Sequence, residues 1–483
     1  MKIMLQGTMS GVGKSLLTAA FCRIFARDGY KVAPFKSQNM ALNSGVDNLG
    51  REMGRAQIMQ AKAAFAEPDA RMNPVLLKPT GTMTSQVMVM GEDRGLMSAA
   101  KYHAYKKELI PQVLSAFNSL ESEYDIIVIE GAGSCSEINL KENDIVNMGL
   151  ARLVSSPVLL VGDIDRGGVF AQLLGCVEWM EEEEKQLLKG FIINRFRGDI
   201  SLLSPGPEML KERTGYPLLG VVPFVNEPFD DEDSMSERLT KKAAEGPIDA
   251  LVIRLPMISN FTDFNCLESA GMSVRYADRA LDFGRPDIIF IPGTKNTVGD
   301  LIWLKKRGLD RLIADAADEG ISVFGICGGM QMLGHYVDDE DGVEQTGKEK
   351  GLGLLDIVTR MGTKKQMTNV KGRLGELTGV LAPLTGESYE GYEIHMGISA
   401  FSDGNPLSDV VSCGNVYGTY IHGILDLMAP KLAALLSERK GIKAEGDDTP
   451  WNMRLEKSLD AIADAVRANV DMERVYDIMS SAK

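Results

Sequence analysis

The sequence predicts an α/β protein built from two doubly wound parallel-sheet domains, with helices at the C-terminal end. Three observations predict it. Short, continuous apolar runs alternate with helix-like stretches in two separate sets, as expected of parallel strands covered on both faces. A polar stretch nearly free of large apolar groups divides the two sets. Each set also contains a glycine-rich turn placed between a strand and a helix.

In the first set the apolar runs are Ile3–Leu5, Val32–Phe35, Ile126–Ile129, Val158–Val161, Phe191–Ile193 and Leu218–Val222. Helix-like stretches such as Leu16–Arg27 and Tyr105–Leu120 lie between them. Asp230–Gly246 is first acidic, then basic, and reads as a linker. The second set runs through Leu251–Leu255, Ile288–Ile291, Val323–Ile326, Gly391–Ile394 and Tyr417–Ile421. Leu455–Val466 has helical apolar spacing. The expected boundaries are a first domain over 1–229, a linker over 230–247, a second domain over 248–428 and a helical tail over 429–483.

The 483 residues are 44% hydrophobic and 25% charged, enough for sizeable cores in two domains. A net charge of −15 argues against a general binder of nucleic acid or of anionic membrane. Local basic groups still leave room for an anionic small molecule. The six cysteines are scattered with no C-x-x-C pair, which fits a reducing compartment better than a zinc cluster or a disulfide framework. Cys22, Cys176 and Cys266 read as core residues. No apolar run reaches the length of a membrane span, and Lys2–Gln6 already reads as a strand, so the expected location is cytoplasmic.

The segment Gly7-Thr8-Met9-Ser10-Gly11-Val12-Gly13-Lys14-Ser15 follows a strand and opens a helix. Its glycines let backbone N–H groups turn toward phosphate oxygens, Lys14 can reach the outer phosphates, and the Ser15 hydroxyl can ligate Mg²⁺. The usual loop has glycine where Thr8 stands, so this is a variant form. The expected ligand is ATP, held by Gly7, Thr8, Gly11, Gly13, Lys14 and Ser15. Open parallel sheets bind ligands at the C-terminal ends of their strands. There Glu130 is the candidate to share Mg²⁺ with Ser15, and Lys36 to neutralise a transferring phosphoryl group. Asp163, Asp165 and Arg166 are candidates for substrate or metal, and Asn194 for the adenine edge.

In the second set, Gly325-Ile326-Cys327-Gly328-Gly329 joins an apolar strand to a helix-like stretch. This is the cysteine form of a nucleophile elbow: small neighbours permit the strained turn, and the helix start favours the thiolate. The N–H of Gly328 is one candidate oxyanion donor, and Gly293 in Pro292-Gly293-Thr294 is the other. A thiol nucleophile needs a base. Of the four histidines, His422 in Tyr420-Ile421-His422-Gly423 ends a strand and is the expected base, with His395 lining the site or supporting the fold.

The cysteine elbow with a distant Tyr-Ile-His-Gly strand end resembles the triad-type (class I) glutamine amidotransferases, and the first domain resembles the dethiobiotin-synthetase-like P-loop ATPases. Together, in this order, they resemble the cobyric acid synthase family of the cobalamin pathway. The segments Phe35-Lys36-Ser37-Gln38-Asn39-Met40, Glu52-Met53-Gly54-Arg55-Ala56-Gln57, Glu130-Gly131-Ala132-Gly133-Ser134, Gly162-Asp163-Ile164-Asp165-Arg166-Gly167-Gly168 and Pro292-Gly293-Thr294-Lys295-Asn296-Thr297 carry that likeness. It implies amidation of side chains b, d, e and g of adenosylcobyrinic acid a,c-diamide, with one ATP and one glutamine per amide. The implied partners are therefore small molecules: a corrinoid, glutamine and ATP. Many amidotransferases carry Glu two residues after the histidine; here that position is Ile424. Glu393 is then the candidate third member.

Two rivals share parts of the pattern. An a,c-diamide synthase, or an enzyme amidating a cell-wall precursor, would keep the architecture and change the substrate. A partition-type P-loop ATPase would use the first loop but has no use for Cys327 paired with His422.

Overall fold

The computed structural model describes all residues except 81–82, 230–236, 242–245, 345–346, 444–445, 447–448 and 482–483. The chain forms two compact units. One comprises Met1–Ala41, Arg51–Phe229 and Leu455–Lys483; the other comprises Leu42–Gly50 and Asp230–Arg454. Much of the expected linker, 230–236 and 242–245, lies outside the described residues; Glu237–Thr240 is a 3-10 turn.

The first unit is organised by a six-stranded parallel sheet. Its strands are β1 (Lys2–Gly7), β2 (Val32–Phe35), β3 (Ile126–Glu130), β4 (Val158–Asp163), β5 (Leu188–Phe196) and β6 (Leu218–Pro223), in the order β6-β5-β4-β1-β3-β2. The apolar runs are continuous because both faces are covered. On one face Ile3, Leu5 and Val128 pack with Phe21 and Phe25 of helix α1 (Lys14–Arg27) and with Leu459, Ile462 and Val466 from the C-terminal end. On the other, Ile127, Ile129 and Phe35 pack with Leu109, Val113 and Phe117 of the helix Ala99–Glu123. From β1 the chain crosses to edge strand β2, returns to β3 between the two, and then fills the opposite side with β4, β5 and β6. The order therefore reverses at β1, whose C-terminal end carries the glycine loop.

The second unit repeats the plan with β7 (Asp249–Ile253), β8 (Ser273–Ala277), β9 (Ile288–Ile291), β10 (Ser322–Ile326), β11 (Val410–Cys413) and β12 (Val416–Thr419). Their order is β8-β7-β9-β10-β12-β11, parallel except for β11. The predicted class of two doubly wound sheets with C-terminal helices is what the structure has. Two runs behave differently from expectation. Gly391–Ile394 belongs to the strand Ser388–His395 of a separate antiparallel sheet, paired with Gln366–Arg373 and Ile421–His422. Tyr417–Ile421 is split at Tyr420, so that β12 ends in the central sheet and His422 is handed to the smaller one. The helix Leu425–Lys440 packs in this unit, whereas residues from Leu455 onward belong to the first.

Candidate active sites

The glycine loop of the first unit turns through left-handed backbone at Gly11 (φ 74°) and Gly13 (φ 91°), conformations a side chain would strain. A Cβ at Gly13 would also lie 2.3 Å from Nδ2 of Asn194. The loop is held from outside. Asn194 Nδ2 donates to the Val12 carbonyl (2.9 Å), Ser134 Oγ to the Thr8 carbonyl (2.8 Å), and Lys14 Nζ to the carbonyls of Gly133 (2.8 Å) and Met9 (3.2 Å). The Thr8 hydroxyl is engaged with Gln172 at 3.0 Å. Asn194 therefore supports the loop with its amide nitrogen.

Behind the loop, Glu130 at the end of β3 is only 1% exposed and has three partners. Its Oε1 accepts from Ser15 Oγ and from Lys36 Nζ, each at 2.8 Å, and its Oε2 accepts from Gln60 Nε2 at 2.6 Å. Lys36 is buried, so its charge is spent inside the site rather than in solvent. Hydroxyl and carboxylate oxygens that converge in this way, beside a buried carboxamide oxygen of Gln60 that has no partner among the described residues, suit a hydrated Mg²⁺. Asp163 is fully buried and pairs with Arg195 (3.0 Å) and more loosely with Arg166 (3.7 Å). Asp165 is turned outward to Arg197 at 3.3 Å. The structure thus gathers Lys14, Ser15, Lys36 and Glu130, while Asp163 and Asp165 are engaged by arginines.

In the second unit, β10 ends at Cys327, whose backbone sits at φ 54°, ψ −113°, a strained conformation for a non-glycine residue. Its N–H donates to the Thr419 carbonyl at 2.7 Å, which fixes the turn against β12. The flanking glycines have steric reasons: a Cβ at Gly329 would fall 1.9 Å from the Ile291 carbonyl oxygen, and one at Gly325 would meet the backbone of Gly329 and Met330 at 2.7 Å. The following helix, Gly328–Leu333, can therefore begin hard against the end of β9.

Cys327 Sγ lies 3.6 Å from the Ile394 carbonyl oxygen, and its proximity helps to raise the His422 imidazole. Asp263, in the 3-10 turn Phe261–Phe264 after β7, accepts from His422 Nδ1 at 2.7 Å and, through its other oxygen, from the Gly423 N–H at 3.0 Å. With Nδ1 committed to the carboxylate, Nε2 is the nitrogen left for the thiol. Burial opposes charging the ring, but Asp263, with help from Cys327, outweighs it and pushes the imidazole up to about 9. The ring is therefore an imidazolium at neutral pH. Glu393, the candidate third member, is corrected by this geometry: it lies 3.5 Å from His395 Nε2, and the carboxylate on His422 comes from Asp263. His395 stacks on Tyr420 at 3.7 Å, and Gln331 holds Tyr420 Oη (3.1 Å) and the Met396 carbonyl (3.0 Å), forming a rigid wall beside the elbow. Gly293 lies directly beside the imidazole; a Cβ there would come 3.1 Å from His422 Cε1. A cysteine sulfur, an imidazole ring and a carboxylate in this order can perform acyl transfer.

Sequence reasoning missed Asp263 and Gln60. The only hint of Asp263 was negative: with Ile424 where a glutamate is usual, the carboxylate had to arrive from elsewhere.

Comparison with known proteins agrees with this two-site architecture. Residues 3–235 match the CobQ/CobB/MinD/ParA nucleotide binding domain, and residues 249–429 the CobB/CobQ-like glutamine amidotransferase domain. The chain is 50% identical to the cobyric acid synthase of Ruminiclostridium cellulolyticum, covering 99% of this chain and 96% of that one. It is 50% identical to that of Lachnoclostridium phytofermentans (99% and 98%) and 48% identical to that of Photorhabdus laumondii (100% and 98%). The chain belongs to the cobyric acid synthase family. As a member it is an ATP-dependent, glutamine-hydrolysing ligase that acts on small molecules in cobalamin biosynthesis. No described helix is long and apolar enough to cross a membrane.

Proposed function

We propose that this chain amidates side chains b, d, e and g of adenosylcobyrinic acid a,c-diamide, taking each nitrogen from glutamine and spending one ATP per amide. The observation that carries the reading is the Cys327–His422–Asp263 constellation in one chain with the Lys14, Ser15, Lys36 and Glu130 cluster.

In the second unit, the Cys327 thiolate attacks the glutamine carboxamide carbon. The N–H groups of Gly328 and Gly293 receive the developing oxyanion. His422, held charged by Asp263, gives its proton to the departing nitrogen, so ammonia leaves and a glutamyl thioester remains. The now neutral imidazole draws a proton from water, which attacks the thioester and releases glutamate and the thiolate. In the first unit, a corrinoid carboxylate oxygen takes the γ-phosphoryl group of ATP, releasing ADP. Ammonia then attacks the acyl phosphate carbon, and phosphate departs as the amide forms. Lys14 and Lys36 offset the negative charge on the moving phosphoryl group. Ser15 and Glu130 would hold Mg²⁺, which would supply positive charge against the phosphates.

The reading is tested by supplying ATP, glutamine labelled with ¹⁵N in its amide, and the a,c-diamide. It predicts a corrinoid product carrying ¹⁵N at all of b, d, e and g. An unlabelled diamide in that mixture, with label at a and c when cobyrinic acid is supplied in its place, would favour the diamide synthase reading instead.

A further inference from the structure

Gln60 lies on the helix Arg55–Ala63 and is fully buried. Its Nε2 is shared between Glu130 Oε2 (2.6 Å) and the Ser15 carbonyl oxygen (3.2 Å). Both are acceptors, so the amide cannot be turned round: its oxygen would then face two oxygens. That fixes Oε1 on the other side, where it is buried and receives no hydrogen bond from any described residue. A buried carbonyl oxygen without a donor bears its full desolvation cost, and native structures retain such atoms where something else supplies the donor. Water on a divalent cation is a strong donor, and the Ser15 hydroxyl and Glu130 carboxylate suit that cation; Gln60 is tied directly to that carboxylate and to the main-chain carbonyl of Ser15.

We propose that Gln60 is a positioning residue of the metal centre: Nε2 fixes the Glu130 carboxylate, and Oε1 accepts a hydrogen bond from a metal-bound water. The inference rests on the Mg·ATP reading above. It adds to the loop residues a helix whose sequence carries no recognised metal-binding pattern.

The test uses the full chain, with ADP binding followed by calorimetry in the absence of metal, and Mn²⁺ binding to the ADP complex followed by the electron paramagnetic resonance of free Mn²⁺. Gln60→Met keeps the length and removes both polar atoms. It should weaken Mn²⁺ binding about 10- to 100-fold, the range for loss of a residue that orients a metal ligand, and leave metal-free ADP binding unchanged. Mn²⁺ affinity within twofold of wild type would overturn the proposal. So would an equal loss of metal-free ADP binding, which would show that Gln60 merely braces the loop through Ser15. Should Gln60→Met not fold, Gln60→Asn provides a second measurement: one methylene shorter, it draws both polar atoms back from Glu130 and from the metal-bound water. Mn²⁺ binding should weaken over the same range with metal-free ADP binding unchanged, and Mn²⁺ affinity within twofold of wild type would contradict the proposal. Wild-type protein that bound no ADP at all would overturn the nucleotide reading itself.

Discussion

His422 is paired with the Asp263 carboxylate, and in the proposed reaction its charge governs the second site. Its ordinary value of 6.5 is raised to about 9 because Asp263 and Cys327 outweigh the cost of burial. The contacts of the imidazolium therefore stabilise the folded chain fully below about pH 6.5, and that contribution is lost as pH climbs through about 9. The gap corresponds to something on the order of 3 kcal/mol. Asp263→Asn removes the main source of the shift. It should lower glutaminase kcat by roughly 10²- to 10⁴-fold, as loss of the orienting carboxylate does in related triads, while leaving ammonia-supported amidation intact. It should also lower Tm more at pH 6 than at pH 10, checked by thermal melts of both proteins at the two values. At this scale the strained turn at Cys327 and the strand-end position of His422 were legible, because both have local sequence patterns. Asp263 has none: it meets His422 across 159 residues of chain, and only the fold brings it there.

At the level of elements, glycines decide where backbone passes backbone. In Gly329→Ala the new methyl would stand 1.9 Å from the Ile291 carbonyl oxygen. Neither strand end nor helix start can yield without moving Cys327. A destabilisation of about 1–3 kcal/mol or more is expected, with loss of glutaminase, measurable by denaturant titration and glutamate release. Gly13→Ala combines a positive φ with a close approach to Asn194, and should cut ADP affinity at least about tenfold while glutaminase persists. Most central strands were legible as apolar runs because both faces are covered. β8 was not: Arg275 interrupts Ser273-Val274-Arg275-Tyr276-Ala277. Its burial is offset because Asp249 pairs with it at 2.7 Å and the carbonyls of Asp282 and Phe283 accept from two more of its N–H groups. Gly391–Ile394 was legible as a strand but not as a member of another sheet, since apolar content does not report the pairing partner.

Across the whole chain, the first unit is closed by residues from the other end of the sequence. Leu459, Ile462, Val466 and Val475 fill the face of the sheet beside Phe21 and Phe25, and buried Arg23 pairs with Glu456 at 2.6 Å. Each such aliphatic side chain contributes about 1.5–3 kcal/mol when buried, against a typical domain stability of about 5–15 kcal/mol. A chain truncated after Arg454 should therefore lose ADP binding and the melting transition of the first unit, yet still release glutamate from glutamine. Helical spacing made this tail legible as helices. Its destination was not legible, because an amphipathic face does not name the surface that covers it. The account depends most on Cys327 being the source of nitrogen for a ligase that is otherwise complete. The direct measurement is ¹⁵N incorporation into the corrinoid by Cys327→Ala, supplied in parallel with labelled glutamine and with labelled ammonium chloride. The account predicts no label from glutamine and undiminished label from ammonium. Label arriving from glutamine, or loss of both routes in a variant with unchanged Tm, would contradict it.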